Sequence, residues 1–417
     1  MDRILKATEL MEQNKVEESL AELTKFYPIA NDEEKYTIAL FYMEWGFLLE
    51  ASKVLQTLLE SYPDEAEFKI LLAETYTELE NDEAAIAILD EIGTDDPAYL
   101  QALIQLADLY ESQGLFEVAE QKLLLAKNKA PNEEVIDLAL GELYFSIGEF
   151  KKAVLYYEQI KSDQLAHVAI HERLAESLAA CGEYEKALDY FSQIDTPSID
   201  ILYKHGLTAF QAKRYDIAIS LWHKVIEQDP YYQTVYRVLA EAYEKENNIQ
   251  KAYEMVKEGL KWDDFNKELY YYAGVLSHKL GENVESESLL RQAIALEPDY
   301  KQAVLLLIDI LKETNAGDQI IELIVSIQDT GAEDPIYNWE LARAYREEEK
   351  YEHALNAYNR AYTNLKYDSD FLKEYGFFLS EEGRMNEALP VLTLYLSHEA
   401  DDDDTREFVN RLNEQLG

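Results

Sequence analysis

Apolar residues recur along the chain at helical spacing, in paired blocks of about a dozen residues broken by glycine or a polar turn, so that the whole length reads as successive amphipathic helices. Small residues fix the register of the pairs. Ala51, Ala85, Ala119, Ala153 and Ala187 stand 34 residues apart, and after one step shortened by three residues the series resumes at Ala218, Ala252, Ser286, Ile320, Ala354 and Ala388. A second series runs ahead of it at Ala39, Ala73, Ala107, Gly141, Ala175, Gly206, Ala240, Gly274, Ile308, Ala342 and Gly376. Small residues facing one another let two helices approach closely, and a period of this length predicts stacked helical hairpins.

Other positions punctuate the unit. A tyrosine follows the first small residue at Tyr42, Tyr76, Tyr110, Tyr144, Tyr243 and Tyr345, where its ring is expected to fill the space between hairpins. Glycine precedes the second small residue by five positions at Gly46, Gly114, Gly148, Gly182, Gly281 and Gly383, predicting the reversal inside each hairpin. Pro63, Pro97, Pro131, Pro230 and Pro298 stop the second helix.

With these spacings the chain resembles the tetratricopeptide repeat family, most closely in Leu72-Ala73…Tyr76…Ala85…Pro97 and Leu106-Ala107…Tyr110…Gly114…Ala119…Pro131. The resemblance implies an all-α, right-handed superhelical solenoid of about twelve repeats with a capping helix at residues 405–417. That helix carries Phe408, Leu412 and Leu416 on one stripe. The shortened step at Asp195-Thr196-Pro197-Ser198 divides the array into blocks 1–197 and 198–404 by a change of register, not of folding unit. Two places depart from the pattern. The first unit is ragged, with Ala7 and Ser19 at its small positions, and the tenth carries Ile308, Leu311 and Ile320, which predicts a splayed or differently packed hairpin. Pro390 falls inside a second helix, where a kink is expected.

Charge narrows the partners. There are 83 acidic against 38 basic residues, a net charge of −45, which disfavours nucleic acid and anionic membranes and favours basic or neutral protein segments. Between Ile70 and Gln121 no lysine or arginine occurs among thirteen acids. The resemblance implies that first helices line the concave face and that the residue after the first small position points into it. That row reads Glu74, Asp108, Glu142 and Glu176, with Glu67, Glu78 and Glu111 beside it. Two readings stand: a solvated exterior, or a groove that receives a basic segment. In the second block the groove positions mix Arg237, Lys279, Lys312, Arg343, Arg346 and Lys373 with Tyr203, Phe210, Tyr271, Trp339 and Phe377, so either a second contact region or inter-repeat packing is expected there.

Candidate chemistry is sparse. No phosphate-binding loop, nucleophile elbow or cysteine-pair metal spacing occurs, and no cofactor is expected. His167 and His171, four apart, were they on one helix, lack a third ligand for a metal. Cys181 is single and reads as a small filler. No signal-peptide segment or membrane-length apolar run is visible, so a cytoplasmic protein is expected. The lysine and asparagine set with which some repeat proteins clamp acidic chaperone tails is missing at the acidic row. Repeats begin almost at once, which weakens a likeness to peptide sensors that carry a leading helical bundle. The chain is similar to cytoplasmic arrays of low-GC Gram-positive bacteria, the YpiA-like group. That similarity implies a non-enzymatic adaptor in a regulatory pathway, with a peptide-sensing regulator and a self-associating scaffold as alternatives.

Overall fold

Twelve residues with φ between 53° and 81° close the turns between paired helices: Asn14, Gly46, Glu80, Gly114, Gly148, Gly182, Lys213, Asn247, Gly281, Asn315, Glu349 and Gly383. Each stands five residues ahead of a second small position. Half are the predicted glycines; the other half impose a left-handed conformation on residues with a Cβ. The hydrogen bonding is the same in both kinds. At Gly46, Phe47 N–H reaches the Tyr42 carbonyl at 2.8 Å and Gly46 N–H that of Met43; at Glu80, Asn81 N–H reaches Tyr76 at 2.8 Å and Glu80 N–H that of Thr77. This double bond pattern ends a helix, and the recurring tyrosine supplies its accepting carbonyl.

The computed structural model describes residues 2–416 and contains twenty-five α-helices among them. By packing, the chain forms two units, Met1–Lys213 and Arg214–Gly417, and the change of register near Pro197 lies within the first. In the first unit the paired helices relevant below are Ala66–Glu78 with Asp82–Asp90, Tyr99–Ser112 with Phe116–Lys129, Glu134–Ser146 with Phe150–Tyr157, and Ile170–Ala180 with Tyr184–Phe191, followed by Ile199–Gln211. In the second they include Thr234–Lys245 with Ile249–Gly259, Lys267–Lys279 with Asn283–Leu296, Lys301–Glu313 with Gly317–Asp329, Pro335–Glu347 with Tyr351–Leu365, and Ser369–Glu381 with Met385–His398. All five punctuating prolines lie outside helices, and Pro335 opens one. The helix Met385–His398 runs on through Pro390.

Each hairpin is sealed at its small positions. Ala39, Ala51, Ala85, Ala119, Ala153, Ala187, Ala354 and Ala388 are fully buried, and where serine replaces alanine the hydroxyl bridges the pair. Ser19 Oγ donates to the Ala7 carbonyl and Ser286 Oγ to the Gly274 carbonyl, each at 2.7 Å. In the tenth hairpin Ile308 and Ile320 are buried and hold their helices apart, the different packing that bulk at both positions predicts.

At the register change Ser198 caps the next helix, accepting from Ile201 N–H at 3.2 Å. A feature absent from the expectation is a two-residue antiparallel ladder, Gln164↔Ala169 and Leu165↔Val168. It turns through Ala166 and His167, both at positive φ, the geometry of a tight hairpin. His167 therefore sits in a turn and shares no helix face with His171, and among the described residues no acid, histidine or cysteine cluster could hold a metal. Cys181 is half-buried, with its thiol pushed up by burial. At the far end Thr405, Val409 and Leu412 of helix Asp403–Leu416 are buried and Phe408 packs on Phe377 at 5.2 Å, whereas Leu416 stays 41% exposed, off the predicted stripe. Asp402 caps that helix, accepting from Thr405 N–H while pairing with Lys373, and these partners hold its carboxyl far below the usual range.

Candidate functional site

The acidic row divides into two stretches that differ in what stands opposite. Glu142, on helix Glu134–Ser146, accepts both ends of the Arg173 guanidinium at 2.8 and 2.9 Å, and the Tyr157 hydroxyl at 2.6 Å. Glu176 pairs with Lys204 and lies 3.7 Å from Arg173. In each case the cation comes from the first helix of the next hairpin, two residues ahead of its small position: Arg173 before Ala175, Lys204 before Gly206. The equivalent positions opposite Glu74 and Asp108 hold Gln105 and Ala139. Neither residue can supply a charge.

Glu74 and Asp108 consequently meet no cation among the described residues. Burial raises the pKa of Glu74, with Glu78 adding repulsion. Asp108 is reached by water from one side, yet surrounding protein desolvates its carboxylate and, with Glu111 nearby, pushes it up to about 6. Glu67 takes the Tyr36 hydroxyl at 2.6 Å and Glu111 the Ser146 hydroxyl at 2.5 Å, neutral donors that leave both charges uncompensated. Five predicted residues, Glu67, Glu74, Glu78, Asp108 and Glu111, thus make up an uncompensated stretch on consecutive first helices. Glu142 and Glu176 are neutralised within the protein and do not extend it.

In the second unit the predicted residues are bound up with one another. Arg343 places Nε and Nη2 on Glu374, the latter at 2.6 Å, and Nη1 on Glu340 at 2.9 Å. Its guanidinium lies 4.1 Å over the Trp339 ring, whose Nε1 donates to Glu374 at 3.0 Å. Burial alone would raise the Glu374 carboxyl; the bonds from Arg343, Tyr358 and Trp339 outweigh it and hold the pKa down. Lys312 closes the network on Glu340 at 2.6 Å. Arg346 pairs with Glu381 at 2.8 Å, and Arg237 with Glu241 and Glu268. Tyr271 packs edge-on against Tyr300 at 5.3 Å. A cavity of about 570 Å³ beside Arg343 is walled by these ion pairs.

One feature of the first unit was not anticipated. Helices Glu134–Ser146, Ile170–Ala180 and Ile199–Gln211, with the second helices Phe150–Tyr157 and Tyr184–Phe191, border an open cavity of about 540 Å³ lined by Phe145, Phe150, Tyr184, Phe191 and Leu207. Phe145 follows a recurring tyrosine, Tyr144, and that adjacency is the signal the sequence holds. Phe145 and Phe150 pack edge-on at 5.5 Å, and the Arg173 guanidinium covers Phe145 at 4.6 Å.

The sequence and the fold match known repeat proteins. Residues 111–165 match the YpiA-like tetratricopeptide repeats, residues 335–402 the YpiA-like C-terminal tetratricopeptide repeats, and residues 48–99 and 209–273 the tetratricopeptide repeat at large. The TPR repeat-containing protein YpiA of Bacillus subtilis (strain 168) is 39% identical over 417 residues, 99% of each chain. A CTR9 homolog of Arabidopsis thaliana is 24% identical over 254 residues, 57% of this chain and 23% of that protein. Among solved structures, Naa15/Naa10 bound to HypK-THB aligns with 93% of this chain and 66% of that one at 13% identity and a TM-score of 0.45. YrrB, a TPR protein with an unusual peptide-binding site, aligns with 44% of this chain and 96% of its own at 15% identity and a TM-score of 0.38. No described helix is long and apolar enough to cross a membrane.

Proposed function

The chain belongs to the YpiA-like family of tetratricopeptide-repeat proteins, and from that premise we propose that it is a non-enzymatic adaptor whose first unit holds a basic segment of a partner protein. Tetratricopeptide arrays serve as protein-interaction scaffolds; the choice of partner chemistry rests on a single observation. Glu142 and Glu176 have a cation of the next hairpin opposite them, Arg173 and Lys204, while the positions equivalent to these cations beyond Glu74 and Asp108 hold Gln105 and Ala139. Mutually repelling carboxylates without internal counter-ions are stabilised by an external cation, so lysine or arginine in a partner would relieve them. Arg343 and Arg346 of the second unit, engaged by Glu340, Glu374 and Glu381, offer no comparable uncompensated charge.

Affinity capture at low and moderate salt, comparing the natural chain with a Glu74→Lys, Asp108→Lys variant, tests this. Partners held by the acidic stretch fall away in the variant, and with added salt for the natural chain. Identical partner lists from both proteins would remove the stretch as a recognition surface.

A further inference from the structure

The geometry points to a two-part ligand: a segment whose lysine or arginine residues lie on Asp108 and Glu111 and whose neighbouring bulky apolar side chain enters the aromatic cavity beside Phe145. This rests on the reading of the acidic stretch as the contact for a basic partner, and adds to it an apolar anchor and a spacing.

Three observations carry it. The cavity is within the size range of ligand pockets, about 300–1,000 Å³, at about 540 Å³, with walls chiefly of aromatic and aliphatic groups. Its polar rim is satisfied internally: Lys204 is paired with Glu176, and the Thr208 hydroxyl donates to the Lys204 carbonyl at 2.9 Å. An entering group therefore gains from apolar contact and finds no unmatched charge, the character of an anchor pocket. Finally, the cavity adjoins the uncompensated carboxylates. Glu111 accepts the hydroxyl of Ser146, the residue next to Phe145. That hydrogen bond ties the helix of the acids to the helix that borders the cavity.

Packed helices lie about 8–10 Å apart, and Asp108 and Glu111 stand one helix over from Glu134–Ser146 on the near side of the cavity and two over from its middle. That distance, roughly 10–20 Å, is spanned by about three to six residues of extended chain at about 3.3 Å each. The ligand is accordingly a short segment with an aromatic or leucine side chain a few residues from a basic pair. The cavity walled by Arg343, Glu340 and Glu374 does not suit such an anchor, since its lining groups are ionic.

Selection of a displayed random dodecapeptide library on the full chain, followed by fluorescence titration of the enriched synthetic peptides, tests the inference. Two variants are used beside the natural protein, each checked by circular dichroism for retained helix. Ala180→Trp, at an exposed position on the cavity rim, plugs the cavity; Asp108→Lys with Glu111→Lys reverses the acids. The expected result is enrichment of peptides with a bulky apolar residue three to six positions from lysine or arginine, with affinity falling at least tenfold in both variants. Peptides insensitive to Ala180→Trp but lost with the charge reversal would overturn the anchor and leave the basic-partner reading standing. Peptides sensitive only to Ala180→Trp would overturn the two-part ligand and that reading together. Absence of enrichment, or enriched peptides without the pattern, would likewise overturn it.

Discussion

The ring of Tyr157 occupies the space that a Cβ on Gly141 would need: the nearest ring carbon would lie 2.5 Å from it. Tyr157 is fully buried and its hydroxyl is tied to Glu142, so the ring has nowhere to swing. Replacing a mid-helix glycine by alanine ordinarily stabilises by about 1 kcal/mol. Here overpacking wins, and Gly141→Ala is expected to destabilise by about 1–3 kcal/mol in urea unfolding. An unchanged or raised midpoint would mean the hairpin does not close at this point.

The turn positions favour glycine for a different reason, backbone conformation. Glu80 holds φ at 58° with no glycine to ease it, while Gly114 takes the same slot one hairpin later. The left-handed conformation costs a residue with a Cβ roughly 1–2 kcal/mol, partly offset by the greater freedom that glycine brings to the unfolded chain. Glu80→Gly should therefore stabilise by about 0.5–1 kcal/mol and Gly114→Ala destabilise by about 1 kcal/mol. Thermal unfolding of both variants reads the pair, and like signs would contradict it.

Asp108 sets a pH dependence. Its folded pKa, about 6, lies above the ordinary 3.8, so the stability that proton uptake contributes is complete below about 3.8 and lost as pH rises through about 6. Asp108→Asn removes that loss. The variant should match the natural protein near pH 4 and exceed it near pH 7.5 by about 1 kcal/mol, a figure reduced for screening by water in the groove. Denaturant titrations at the two pH values measure the difference; a gap independent of pH would contradict the desolvated site.

Arg343 is expected to act in stability and not in binding. Removing it strands Glu374, which is largely shielded from water, so Arg343→Ala should destabilise by about 2–3 kcal/mol. Adding Glu374→Gln should recover part of the loss, giving a coupling energy of about 1 kcal/mol or more in a double-mutant cycle. Simple additivity would show that the pair does not interact.

Much of the fold was legible because it repeats. Small residues and turn glycines recur at one spacing, and Gly141 and Ala153 could be matched from their positions alone. Glu80 and Glu349 were invisible as turn residues, since neither side chain marks a left-handed backbone. The Gln164–Ala169 ladder follows the short helix Phe150–Tyr157, and no strand pattern marks it. The acidic row was readable for the same periodic reason, but the role of Arg173 was not: only packing shows which residue of the next hairpin faces Glu142. The aromatic cavity was missed because its walls come from three hairpins at different positions in the repeat.

The most direct measurement supplies the missing counter-ions from within. Gln105→Arg and Ala139→Arg together place arginine opposite Glu74 and Asp108, as Arg173 stands opposite Glu142, and change the net charge only from −45 to −43. A lysine-rich dodecapeptide titrated calorimetrically at low salt should bind the natural chain and lose at least tenfold affinity to the double variant, whose thermal midpoint should rise. Equal binding by the two proteins would mean that diffuse negative charge attracts the peptide, and would contradict a recognition surface at Glu74 and Asp108.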